Sequence, residues 1–116
     1  MVSPLTPRQR SPAVRHWLLQ RVSAVLLIPM ALWFVAAALP ALVAGASAFQ
    51  EWLSPLNGIL ALLWTALLLF HGCLGMEAIF EDYVPCVRGR DLLIMVIRIL
   101  TALALLVALF CLSQTF

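Results

Sequence analysis

"LNGILALLWTALLLFHGCLGMEAIF", residues 56–80, contains a single acidic group, Glu77, and a single histidine, His71, in an otherwise almost unbroken apolar run. As an α-helix rising about 1.5 Å per residue it is long enough to cross a hydrocarbon layer of roughly 30 Å. Lipid cannot satisfy backbone N–H and C=O groups, so a spanning segment must be a helix or part of a closed barrel. A barrel strand would alternate polar and apolar residues over about ten positions, whereas this run is continuous and rich in Leu and Ala. Two further runs have the same character, Trp17 to Val43 and Leu92 to Leu112. The expected fold class is an all-α membrane protein with three transmembrane helices, one domain over residues 1–116. The connections Gly45 to Pro55 and Glu81 to Asp91 are too short to hold a soluble domain.

Composition agrees. With 65% hydrophobic residues, seven basic and five acidic side chains, and a mean hydropathy of +1.09, the chain lacks the polar coat that a soluble domain needs. It has no internal repeat and no nucleotide-binding glycine loop. Arg8, Arg10, Arg15 and Arg21 precede or open the first span, and Arg88 and Arg90 lie between the second and third. The loop between the first two spans carries only Glu51. By the positive-inside rule the N-terminus is cytoplasmic and the C-terminus periplasmic. Trp17 and Trp52 fall at the expected interfaces, where amphipathic rings anchor helices.

Other features are read structurally. The "ASA" at 46–48 after a basic, apolar segment resembles a signal-peptide cleavage site, but the apolar run is too long for one, and the first span is read as a retained anchor. The lack of an Arg- and Ser-rich transit segment favours a bacterial inner membrane. Cys73, Cys86 and Cys111 have no metal-ligand spacing and are assigned to packing. Pro4, Pro7 and Pro12 should keep the N-terminal arm from forming one regular helix; Pro29 should kink the first span; Pro55 and Pro85 should open and close the second.

His71 lies about 16 Å by helical rise from the basic end of its span, near the bilayer centre. An ionisable residue there either serves a function or bonds a neighbouring helix as glue. At 100° per residue, Gly75, Ala78 and Asp82 share its face, with Ala61, Thr65 and Gly72 on the adjoining flank, so a flat ligand or a closely packed helix could approach. Buried imidazole beside small residues suits a haem axial ligand. The other histidine, His16, is about 15 Å away in depth, and neither Met30 nor Met76 lies at convincing depth on an opposing helix. A second ligand would therefore come from another subunit. Glu77 projects away from the His71 face and either snorkels or pairs with an arginine. Arg98 either snorkels or pairs with a lipid phosphate or a partner's carboxylate.

At the same helix end, "EDYV" at 81–84 supplies a phenol and an acid. Tyr83 could donate a hydrogen bond to a quinone carbonyl and Asp82 could relay protons; both could equally be ordinary interfacial residues.

Two motifs together carry a resemblance. "QRVSAV" at 20–25 and "HGCLGMEAIFEDYV" at 71–84 resemble the smaller hydrophobic membrane anchor subunits of succinate dehydrogenase (respiratory complex II), with Arg then Ser opening the first span, and H-x-x-x-G with a terminal D-Y in the second. Length and layout match across essentially the whole chain. The resemblance implies a place beside a flavoprotein carrying FAD, an iron–sulfur subunit and a second three-helix anchor. It implies electron transfer from succinate to ubiquinone as part of the tricarboxylic acid cycle and respiratory chain. It further implies that His71 is one axial ligand of a shared haem b, that Tyr83 and Asp82 border the quinone, and that Arg21 and Ser23 meet a haem propionate or line the quinone pocket. The chain would then be non-catalytic alone. Glu77 and Glu81 have no role in the family pattern, and Pro85, directly after "EDYV", could move the loop that borders the quinone. The rival readings are a fumarate reductase anchor, and a small membrane scaffold or transporter subunit.

Overall fold

The computed structural model describes residues 7–116, with side chains from residue 14 onward. The described residues form α1 (Pro7–Ala44), α2 (Ala46–Trp52), α3 (Pro55–Tyr83) and α4 (Val87–Thr115). Three segments are long and apolar enough to cross a membrane: Val14–Ala44, Pro55–Tyr83 and Val87–Thr115.

Each long helix runs past the apolar stretch that marks its span. Hydropathy registers where side chains leave water, whereas the backbone hydrogen-bond ladder continues into the headgroup layer, where polar side chains are solvated. The connection between the second and third spans thereby shrinks to Val84–Cys86, and Arg88, Arg90 and Asp91 become helical. The expected disruption of the N-terminal arm is corrected in the same direction. Helix α1 starts at Pro7, the first helical position, where a missing N–H costs nothing, and it continues through Pro12 with the loss of one ladder bond. Pro4 lies outside the described residues.

The expected polar connection after the first span contains the short helix α2. Gly45 separates it from α1 with φ 120° and ψ 177°, a region open essentially to glycine alone. The turn then places Trp52 against Trp33 of α1, with ring centroids 5.8 Å apart, and against Phe49, at 5.5 Å. Phe34 stacks on Trp64 of α3 at 4.1 Å, so α1, α2 and α3 share one aromatic cluster at this end. The Trp52 carbonyl at the end of α2 accepts from Asn57 Nδ2 at 2.8 Å and from the Ser54 N–H at 2.8 Å.

Helix α3 is central, with α1 and α4 packed on different sides of it and in little contact with each other. Only Ser23, Ala38, Gly58, Leu74 and Glu77 are buried among the described residues, and none lies on α4. Gly58 is buried under the end of α4: a Cβ there would sit 2.9 Å from Leu112 Cδ1 and 2.6 Å from Cζ of Phe116, the residue after the helix. Exposed Leu26, Leu63, Leu106 and Phe110 are the surface expected of helices in acyl chains, since lipid gives apolar side chains no incentive to bury one another.

Replacing Gly45 with Ala tests the turn. No atom lies within 4 Å of the added Cβ, so the expected loss of about 1–3 kcal/mol is backbone strain alone. It should appear as a lower midpoint of thermal unfolding in detergent; an unchanged midpoint would show that the turn relaxes freely.

Candidate functional site

His71 is half-buried on the side of α3 that faces α1. Its Nδ1 lies 2.9 Å from Ser23 Oγ, and Ser23, only 3% exposed, donates its hydroxyl hydrogen to the Gln20 carbonyl at 3.0 Å. A hydroxyl has one hydrogen to give. The arrangement that bonds all three groups therefore has Nδ1–H donating to Ser23 Oγ, which leaves the lone pair on Nε2. A hydrogen bond to one ring nitrogen fixing the tautomer and orientation of the other is the usual support of a metal-ligating imidazole.

The flank beside this ring is open. A Cβ added at Gly72 or Gly75 would meet nothing within 4 Å. Among the described residues no cluster of three or more His, Cys, Asp or Glu could hold a bare metal ion. A haem fits this setting better, because its macrocycle supplies the equatorial ligands and requires a single axial donor from this chain.

The structure brings Ser23 and His71 together, across a sequence separation of 48 residues. The remaining candidates stay apart from them. Arg21 is exposed, its guanidinium 5.7 Å from the centroid of the Trp17 ring. Asp82 and Tyr83 are exposed at the end of α3, Tyr83 to 80%. Neither bonds another described residue through its side chain. Both are free to face a group supplied from outside this chain.

A second polar cluster lies on another side of α3, about 120° around the helix from His71. Glu77, 5% exposed, accepts from Arg98 Nε at 2.6 Å and from Arg98 Nη2 at 3.1 Å. His16 Nε2 of α1 approaches the same carboxylate at 3.7 Å, beyond hydrogen-bond reach. Sequence reasoning left Glu77 and Arg98 each with open alternatives; the fold pairs them with one another. The legible signal was two opposite charges at comparable depth in neighbouring spans. The arrangement also puts His16 out of reach as a second ligand beside His71.

The pair is asymmetric, the Glu77 side chain being 6% exposed and that of Arg98 65%. Deleting Arg98 strands a buried carboxylate, whereas an arginine without its partner can extend toward the headgroups. Arg98→Leu is therefore expected to destabilise by about 3–5 kcal/mol, and Glu77→Leu by less. The double variant should recover most of the loss. Unfolding of the three variants in detergent measures the order, and equal effects would show that the carboxylate does not depend on Arg98.

Comparison with known proteins gives a consistent set of matches. The family described as "Succinate dehydrogenase/Fumarate reductase transmembrane subunit" matches residues 4–110. The succinate dehydrogenase hydrophobic membrane anchor subunit of Rickettsia bellii is 35% identical over 99 residues, covering 82% of this chain and 79% of the relative. Its counterpart in Rickettsia felis is 32% identical over 107 residues, 89% of each chain. That of Rickettsia typhi is 33% identical over 99 residues, covering 82% and 79%. No solved structure gives a significant match.

Proposed function

Because this chain belongs to the succinate dehydrogenase/fumarate reductase transmembrane subunit family, as a multi-pass membrane anchor subunit of succinate dehydrogenase in a bacterial inner membrane, we propose that it supplies one half of a haem b site through His71 and one wall of a ubiquinone site through Tyr83 and Asp82. The observation that carries this reading is the Ser23–His71 hydrogen bond beside an open glycine flank. Membership of the complex implies a flavoprotein and an iron–sulfur subunit as partners. A second ligand and the cover over the glycine flank would come from a companion three-helix anchor.

On this reading Ser23 is a positioning residue. It holds Nδ1 and fixes the ring's orientation, with Nε2 turned to the ligand. Haem b, when bound, supplies a one-electron carrier at the level of His71. Tyr83, at the end of α3, donates its phenolic hydrogen to a ubiquinone carbonyl, and Asp82 takes up protons from the aqueous side and passes them to the reduced oxygen. Arg21 turns its charge toward a haem propionate or the quinone pocket from the first turns of the membrane-spanning part of α1. The positive-inside rule puts these groups and the N-terminus at the cytoplasmic face, where the iron–sulfur subunit would dock.

A dithionite-reduced minus oxidised spectrum of the detergent-purified complex tests the haem assignment. His71→Ala should abolish or shift the b-type signal. Ser23→Ala should keep the signal but weaken haem retention by about ten- to a hundredfold, as loss of an orienting partner does for metal ligands. A wild-type complex without haem, or a His71→Ala complex with an unaltered spectrum, would overturn the reading.

Tyr83→Phe tests the quinone assignment. Removing one hydrogen bond of about 1.5 kcal/mol should slow ubiquinone reduction about tenfold, while succinate oxidation by a soluble artificial acceptor persists. Equal loss of both activities would count against it.

A further inference from the structure

Between α1 and α4, on the far side of α3 from the glycine flank, lies an open cavity of about 660 Å³. Its apolar wall includes Ala66, Phe70 and Leu105, and its polar end is formed by Arg15, His16, Glu77 and Arg98. Seen down α3, Ala66, Phe70, Cys73 and Glu77 lie about 100–160° from His71, so the cavity is separate from the proposed haem side. From Ala66 to Glu77 it follows α3 for about 16 Å, close to half of a hydrocarbon core of roughly 30 Å. Glu77 itself is about 9 Å inside the end of α3, which puts the polar end near the boundary between acyl chains and headgroups.

The polar end carries unused binding capacity for an anion. Arg98 engages Glu77 through Nε and Nη2, and its Nη1 has no partner among the described residues. Its side chain is 65% exposed, and a guanidinium at that depth needs a polar partner. His16 Nε2 is buried without a hydrogen bond in the same wall. Since Glu77 neutralises Arg98, Arg15 leaves the cluster with a net positive charge that a phosphodiester would cancel.

We propose that this cavity is a binding site for one anionic phospholipid of the leaflet at the arginine-rich end, with its phosphate against Arg15 and the free edge of Arg98 and one acyl chain along the Phe70–Leu105 wall. The single cationic excess, the one-leaflet length and the apolar wall above a polar end together match a lipid. A helix of a partner subunit would leave the exposed guanidinium edge to be met by a carboxylate of its own. The site rests only on the chain spanning the membrane and not on the haem assignment.

Native mass spectrometry of the four-subunit complex, titrated with phosphatidylglycerol and with phosphatidylcholine of the same acyl chains, tests the site. The wild-type complex should retain one tightly held phosphatidylglycerol, preferred at least about fivefold over phosphatidylcholine. Arg15→Gln should lose that preference. Ala102→Phe, which fills the apolar part without touching charge, should lose retention of the lipid altogether. The haem spectrum should be unaltered in both, separating failure of this site from failure of the haem reading. Equal retention of the two lipids, retention unaffected by either substitution, or a structure of the complex with a partner helix seated in the cavity would each overturn the proposal.

Discussion

The contact between Glu77 and Arg98 sets the rotation of α3, and most of what the chain presents depends on that rotation. Lipid offers no hydrophobic reward for helix association, so polar cross-links and close small-residue contacts discriminate between packings. Glu77 accepts two hydrogen bonds from α4 and faces His16 of α1, so all three spanning helices converge on one carboxylate. An ion pair does not guarantee stability, because desolvation offsets much of the attraction. Its effect here is geometric. With Glu77 turned into the bundle, a residue six positions earlier must lie about 120° around the helix, and the side of α3 holding His71 is directed toward Ser23.

The same arrangement makes the chain look like part of a larger bundle. Five buried residues among those described are few for three long helices, and two of them, Ser23 and Glu77, carry polar bonds to neighbouring helices. The aromatic cluster around Trp52 and Phe34 ties the opposite end, so α1 and α3 are fixed relative to one another at two levels: the ring stack of Phe34 on Trp64 and the Ser23–His71 hydrogen bond. Gly72 and Gly75 have no neighbour where a side chain would stand. Their flank is a surface on which another flat or helical body can approach closely.

The spans were legible because membrane insertion is written in long apolar runs, a signal that needs no tertiary information. Helix ends and α2 were less legible. The ends depend on backbone bonding beyond the apolar run, and α2 depends on a glycine conformation and on rings brought together from residues 33, 49 and 52. At the site, the depth of His71 marked it, and Ser23 stood in a recognisable motif, but their contact could not be read from two residues 48 positions apart. Glu77 and Arg98 each carried a visible anomaly, a charge in a span. Choosing each other over lipid or a partner required knowing which face of α4 meets α3. Asp82 and Tyr83 remain as the sequence leaves them, exposed at a helix end.

Keeping the two polar clusters on separate sides of α3 has an electrostatic consequence. On the proposed reading His71 must offer a lone pair, and a formal charge close by in a low-dielectric medium would shift the potential of anything bound to it. His71 is hydrogen-bonded to a hydroxyl and, through it, to a backbone carbonyl. Glu77 and Arg98 neutralise each other across the body of a helix whose diameter with side chains is about 10 Å. The pair thus orients α3 while its own field at the imidazole is that of a dipole rather than of a charge, and the ring's hydrogen bond is made to Ser23. One helix thus carries the ion pair on one side and holds His71 against Ser23 on another, a separation that the ligand role proposed for His71 would use.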